Sequence, residues 1–324
     1  MTVSETIFNG ESDAVLVGQG DVPIQRLRMN ITEYCNFNCF FCHNEGLSAQ
    51  ETQNMSVSEI ANLVRVAANL GITEVKLLGG EALMRPDLEE IVSAISPFVD
   101  EVSLTTNGCG FVSRAENLQQ AGLDRVNISL HSTNARTFER ITNVDARDRV
   151  IDAIQTAIEL GLEPVKLDRV MLRGINVADT FGYLDWCVDM EVDVKLLELS
   201  PSSTVSSEEF RSLFLNLNDY REEIINYSQS RGWTFDSTGD GYVIHTDSGD
   251  MTVELLRLCN DTSTCTARGS LQVTADGHLK PCFWRNDNLV ACREALREGN
   301  DAAIEEALRT AASRVRSTCN FFER

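Results

Sequence analysis

Lysine is scarce in this chain. Of its 28 basic residues, only Lys76, Lys166, Lys195 and Lys280 are lysines, and the rest are arginine. Against them stand 49 acidic residues, for a formal net charge of −21. A surface this acidic does not bind nucleic acid through a basic face. Self-repulsion at this charge is tolerable where salt screens it, so the surface reads as one adapted to a salt-rich cytoplasm such as that of a halophilic archaeon. An acidic partner-binding face is the competing reading. Long apolar runs are also missing: no stretch of about 18 apolar residues exists to span a membrane. The opening segment MTVSETIFNGESDAVLVGQGD has neither the basic start nor the apolar middle of a signal peptide. A cytoplasmic protein with neither membrane nor nucleic acid as partner is therefore expected. Repeats, low-complexity tracts and long linkers are absent too. Yet 43% of the residues are hydrophobic, which supports a real core and excludes a disordered chain.

Cysteine is plentiful by comparison, at positions 35, 39, 42, 109, 187, 259, 265, 282, 292 and 319. In a cytosolic chain of this size, grouped cysteines point to metal rather than to disulfides. The stretch CNFNCFFCHNEG places Cys35, Cys39 and Cys42 at C-x3-C-x2-C spacing. Structural zinc asks for four ligands, usually as paired C-x2-C units. Three local thiolates without a nearby fourth suit a [4Fe–4S] cluster with one open iron. His43 could complete a Cys3His zinc site, but it is adjacent to Cys42 and points elsewhere in most loop geometries.

Strands and helices alternate through the first two thirds. IQRLRMNIT reads as a strand leading into the cysteine loop. Ser56-x-x-Glu59 is a capping box opening a helix that Gly71 closes. ITEVKLL, EVSLTT, DRVNISL, PVKLDRVML and DVKLLEL read as further strands, with helices between them. This rhythm predicts a parallel α/β sheet with right-handed crossovers, whose chemistry lies at the C-terminal ends of the strands. The cysteine loop follows the first strand and so belongs to that rim. Beyond about residue 200 the rhythm changes. STGDGYVIHTDSGDMTVELL and SLQVTADGHLKPCFW predict two hairpins, the second turning at Asp276-Gly277, and two short helical stretches follow.

The cysteine loop, with Phe41 before its last cysteine, resembles the signature of the radical SAM enzymes. So does the order of the rim motifs. Gly79-Gly80-Glu81 ends the second strand, although Ala82 stands where that family usually has proline. Thr105-Thr106-Asn107-Gly108 ends the third, and NISLHS, with Ser129, ends the fourth. The resemblance implies that S-adenosylmethionine (SAM) chelates the open iron and is cleaved on reduction to a 5′-deoxyadenosyl radical. It assigns Phe41, Gly79, Gly80, Glu81, Asn107, Ser129 and Ser200 to cofactor binding. An external electron donor such as ferredoxin or flavodoxin is implied with them.

Within that superfamily the chain looks like the MoaA family, the GTP 3′,8-cyclases of molybdenum cofactor synthesis, over nearly its whole length. RLRMNITEYCNFNCFFCHNEG, RVNISLHSTNARTFERIT and REALREGNDAAIEEALRTA are among the blocks that carry the likeness. It implies an α/β fold: a partial (β/α)6 TIM-like barrel with a smaller C-terminal β-hairpin and helix lid. The expected divisions are an extension over 1–20, the barrel over 21–230 and a lid over 231–324 that binds a second [4Fe–4S] cluster. Cys259, Cys265 and Cys282, at C-x5-C-x16-C, are that cluster's expected ligands, with Cys319 as a fourth. Both spacers are three residues longer than the family's C-x2-C-x13-C. Three buried structural cysteines are the alternative. Arg28, Thr105 and Lys166 match nucleotide-contacting positions and Lys76 stands where the family commonly has Arg; all are expected at the rim and suit an anionic small-molecule substrate. An Arg-x-Arg pair of the family is replaced by Ser270 and Gln272, with Arg268 nearby but out of register. The terminal Gly-Gly of the family is replaced by NFFER. A paralogue with a changed lid and a smaller or less charged substrate is the favoured expectation. GTP 3′,8-cyclase itself, a dehydrogenase, epimerase or peptide maturase with a twitch-type auxiliary domain, and a non-catalytic scaffold stand beside it. Only 34 residues precede Cys35, which weighs against a separate leader-peptide domain.

Overall fold

Six strands form the centre of the molecule: β1 (Arg26–Asn30), β2 (Glu74–Leu78), β3 (Glu101–Thr106), β4 (Arg125–Ser129), β5 (Lys166–Met171) and β6 (Asp193–Glu198). They pair in sequence order, all parallel. The computed structural model describes residues 15–43, 53–201, 204–238, 241–257 and 269–318.

The crossovers carry α1 (Val57–Ala68), α2 (Leu88–Ile95), α3 (Ala115–Ala121), α4 (Ala135–Thr142), α5 (Arg147–Glu159) and α6 (Thr180–Asp189). The capping box at α1 forms in both directions: Glu59 N donates to Ser56 Oγ at 3.2 Å, and Ser56 N to Glu59 Oε2 at 2.7 Å. Side chains alternate along each strand. Leu27, Met29, Val75, Leu77, Val102, Leu104, Val126 and Ile128 are fully buried against the helices. The opposite face of every strand turns into the barrel.

After α7 (Ser207–Leu213) and α8 (Leu217–Ser230) come β7 (Thr234–Thr238), β8 (Gly241–Thr246) and β9 (Gly249–Leu256). These make a three-stranded meander where the sequence suggested a single hairpin. β9 pairs in parallel with β6. On the far side, β10 (Ser270–Val273) pairs in parallel with β1, and β11 (His278–Lys280) and β12 (Val290–Ala291) follow it in antiparallel. The expected turn is present, with Gly277 at φ +86° beside Asp276. Two strands from beyond residue 230 thus flank the barrel strands within one twelve-stranded sheet. α9 (Arg293–Glu298) and α10 (Asp301–Ser313) close the chain, with α10 packed on α1. No helix among the described residues is long and apolar enough to cross a membrane.

Candidate active site

The cysteine loop leaves the C-terminal end of β1 and is fastened on several sides. α4, a helix the sequence pattern did not reveal, ends beneath it. The carbonyls of Thr142 and Ile141 accept from Asn38 N and Phe40 N, each at 3.2 Å. These are last-turn carbonyls of a helix, which need donors from outside it. Asn143 Nδ2 adds a bond to Asn38 O at 2.7 Å, and Phe37 meets Phe138 edge-on. Thr204 Oγ1 donates to Phe40 O at 2.9 Å. The buried Phe41 ring stands edge-on to His131 at 5.0 Å.

The glycine edge of β2 touches the same loop backbone to backbone. Gly80 N donates to Thr32 O and Glu81 N to Tyr34 O, both at 2.8 Å. Glu81 itself is buried and turned inward. Its carboxylate accepts from Leu83 N (2.9 Å), Thr106 Oγ1 (2.7 Å) and Asn107 N (2.6 Å). It braces the ends of β2 and β3. Asn107 continues the chain of contacts: its Nδ2 donates to Asn36 Oδ1 at 2.8 Å and lies 4.0 Å from Cys35 Sγ.

Burial raises the Cys35 thiol, with the Glu81 and Cys42 charges adding to it. Burial, then Cys42 and Cys35, pushes Cys39 up to about 12. The three sulfurs therefore feel one another, and cationic iron held by them would relieve that repulsion. Among the described residues, no three His, Cys, Asp or Glu side chains converge on a point that a single metal ion could occupy. A cluster asks for something different, because each thiolate binds its own iron. His43 turns away, its ring against Phe283 (5.2 Å) and Trp284 (5.5 Å). At the same rim, Ser200 Oγ and Asn30 Oδ1 are buried without a hydrogen-bond partner, as a site built for a polar ligand leaves them. Ser129, the last residue of β4, is half-buried there. The donor set fits a [4Fe–4S] cluster at Cys35, Cys39 and Cys42.

His131 belongs to a buried network behind the loop. Its Nδ1 accepts from Val170 N at 3.3 Å, and its carbonyl accepts from Asn176 Nδ2 at 2.9 Å. Burial, then the Arg169 guanidinium, lowers its imidazole to about 4 from an ordinary 6.5. The neutral ring is thus the folded form, and its stabilising effect is complete above pH 6.5 and lost as pH falls towards 4. We expect a His131→Asn protein to lose about 3 kcal/mol less than the natural chain between pH 7 and pH 4 in urea unfolding. Equal losses would place the acid sensitivity elsewhere.

The barrel interior is charged where most barrels are apolar. Arg28, Lys76 and Ser103 stand in register on β1, β2 and β3. Thr105, Asn127 and Lys166 do so on β3, β4 and β5, and Asp168, Lys195 and Glu254 on β5, β6 and β9. Ser270 and Gln272 pair with Arg26 and Arg28, so β10 turns neutral side chains inward. Depth differs from expectation. Lys76 lies midway down β2, and Lys166 is the first residue of β5, at the end away from the rim. Sequence motifs mark where a strand ends, but a lysine within a strand gives no sign of its depth. Lys166 is paired with Glu254 and lies 3.9 Å from Asp193, while Lys195 lies 3.4 Å from Glu254. Lys195, Arg125, Asn127 and Glu254 were not among the expected site residues. Glu254 sits in a segment that read only as a hairpin, and the β6–β9 pairing brings it inside.

Of the remaining cysteines, Cys187 and Cys292 are buried in the core, and Cys109 is half-buried beside the TTNG turn. Cys282 is half-buried after β11, next to the Phe283 and Trp284 rings that meet His43. Cys259, Cys265, Cys319 and Arg268 lie outside the described residues.

A parallel β/α barrel that carries three thiols on the loop after its first strand, beside a glycine edge, defines a class of iron–sulfur enzyme. The Radical SAM superfamily model matches residues 29–187. A probable GTP 3′,8-cyclase of Thermococcus kodakarensis is 36% identical over 291 residues, 89% of this chain and 94% of that one. One of Pyrococcus abyssi is 36% identical over 300 residues, 92% of this chain and 97% of that one. Among solved structures, SuiB of Streptococcus suis bound to S-adenosylmethionine aligns with TM-score 0.63 at 16% identity, over 89% of this chain and 68% of that one. The AdoMet-bound anSMEcpe aligns with TM-score 0.53 at 15% identity, over 85% and 81%. The chain belongs to the radical SAM superfamily and, within it, to the MoaA-like family of the GTP 3′,8-cyclases. As a radical SAM enzyme it uses a [4Fe–4S] cluster and SAM.

Proposed function

We propose that the enzyme acts on a small, polar, singly or doubly anionic substrate, nucleotide- or nucleoside-like, held in the barrel lumen. The cluster and SAM supply a 5′-deoxyadenosyl radical that takes hydrogen from it. The observation that carries this reading is the balance of charge in the lumen. Lys166 and Lys195 share Glu254, Arg125 meets Glu101 at 2.7 Å, and Arg26 meets Glu74. Cations already matched by carboxylates have less attraction left for a triphosphate. Ser270 and Gln272 on β10 add no charge. Cys282, with Cys259, Cys265 and Cys319, is our choice for a second cluster in a twitch-like C-terminal region, over 231–324. A cytoplasmic, salt-adapted protein agrees with the acidic composition, and its electron donor would be a ferredoxin or flavodoxin.

GTP 3′,8-cyclase is the second reading, favoured by relatives of that name matching about nine tenths of the chain. One experiment separates the two. After anaerobic reconstitution, dithionite and SAM should yield 5′-deoxyadenosine from the natural protein, and a Cys39→Ala variant should yield none. Mass spectrometry of added GTP decides the substrate. Unchanged GTP supports the proposal, and an isomeric cyclised product makes the enzyme a GTP cyclase. A Cys39→Ala protein as active as the parent would overturn the cluster assignment.

A further inference from the structure

Lys76 is the exception among the lumen cations. It is 6% exposed, and its Nζ donates to Asn127 Oδ1 at 3.2 Å. That oxygen also accepts from Arg125 Nη1 at 3.1 Å, while Asn127 Nδ2 donates to Asp168 Oδ1 at 3.1 Å. Among the described residues, no carboxylate comes within ion-pair distance of Nζ. The groups facing it are mostly cations: Arg28 from β1, Arg125 from β4 and Lys195 from β6. Asp168 on β5 and Glu101 on β3 oppose them, and each is already bonded, to Asn127 and to Arg125. Lys166, Asp193 and Glu254, deeper on β5, β6 and β9, are paired among themselves. Burial without a counter-ion, beside like charges, disfavours an ammonium. Burial first, then Lys195, lowers the Lys76 amine well below its ordinary value.

We propose that Lys76 waits in the lumen as a neutral amine and takes up one proton from solvent when a substrate oxyanion, phosphate or carboxylate, arrives beside it. The inference rests on the reading of the lumen as an anion site. The amide oxygen of Asn127 can accept an N–H from the amine and from the ammonium alike, so it holds Nζ in place in both states. The arriving anion offsets the repulsion from Arg28, Arg125 and Lys195, and the ammonium becomes the stable form. Binding then strengthens as pH falls, by up to about tenfold per unit while one proton accompanies each ligand.

Four lysines make the test direct. Lysine carrying ¹³C at Cε would be incorporated into the reconstituted enzyme, with Lys76→Arg assigning the Lys76 signal. The expected result at pH 8 is a neutral-amine signal for Lys76. Saturating inorganic phosphate or GTP should shift that signal to the ammonium position. Calorimetry in buffers of different ionisation enthalpy should count about one proton taken up per ligand, and none in the Lys76→Arg enzyme. A Lys76 signal already cationic without ligand, or unmoved while binding heat is observed, overturns the inference and leaves the anion site standing. No binding heat from either probe overturns the anion site, and the inference with it.

Discussion

Gly80→Ala is expected to produce a folded but badly weakened protein that loads little iron and forms 5′-deoxyadenosine at least about a hundredfold more slowly. A Cβ at Gly80 would lie 2.4 Å from Tyr34 O and 2.5 Å from Glu33 O, and one at Gly79 would lie 2.3 Å from Thr32 O. These obstacles are backbone atoms, which cannot swing aside as a side-chain tip can. The strand edge and the entry to the cysteine loop must separate by more than an ångström. Doing so strains the bonds from Gly80 N and Glu81 N and displaces Cys35. Overpacking of this kind costs about 3 kcal/mol, and misplacing reacting groups by an ångström slows chemistry about a hundredfold. Gly182 is the control: it is exposed in α6, and a methyl group added there would meet nothing within 4 Å. Its alanine variant should gain up to about 1 kcal/mol and keep full activity. Iron per chain, thermal unfolding and product formation check both. Natural activity in Gly80→Ala would show that the edge and loop can separate freely.

The second large effect concerns Asp179. Arg169 is wholly buried on the outer face of β5, above the Tyr183 ring at 4.1 Å, and it donates to Asn176 O. Its counter-ion is Asp179, whose other oxygen accepts from Ser132 Oγ at 3.1 Å. Asp179→Ala strands a guanidinium in the interior, which costs about 4 kcal/mol and should lower the unfolding midpoint by roughly 6 °C. Arg169→Met should cost less, because the Asp179 side chain is 40% exposed and can turn to water. Combining the two should recover much of the loss. Calorimetric midpoints for the cycle check this. An Asp179→Ala midpoint within about 2 °C of the parent, a shift of only about 1 kcal/mol, would mean that the guanidinium finds other compensation.

Much of this design was legible before any coordinates, because it is local. The capping box at Ser56, the Asp276-Gly277 turn and the alternation of strand and helix each depend on neighbours in sequence. α4 was not legible: strand–helix alternation asks for one helix between β4 and β5, and the longer α5 fills that place, although α4 carries the cysteine loop. The pairing of β9 with β6 and of β10 with β1 leaves no local mark either. Strands such as EVKLL and KLDRVM alternate apolar with polar, the pattern of a sheet with one wet face. Here that polar face encloses a lumen, and the alternation alone cannot say which. The three thiols were found by spacing. The residues that set the electrostatics of the lumen, Lys195 and Glu254 above all, emerged only when the sheet curled them together.

The placement of the lysines has a practical consequence. Lys280 and Lys76 are almost wholly enclosed, and the Lys166 and Lys195 side chains are 12% and 17% exposed. Reagents that acylate amines therefore find no lysine on the outside of the described molecule. Their reaction rate at lysine becomes a gauge of how often the barrel opens, and loading the enzyme with cluster, SAM and substrate should slow it.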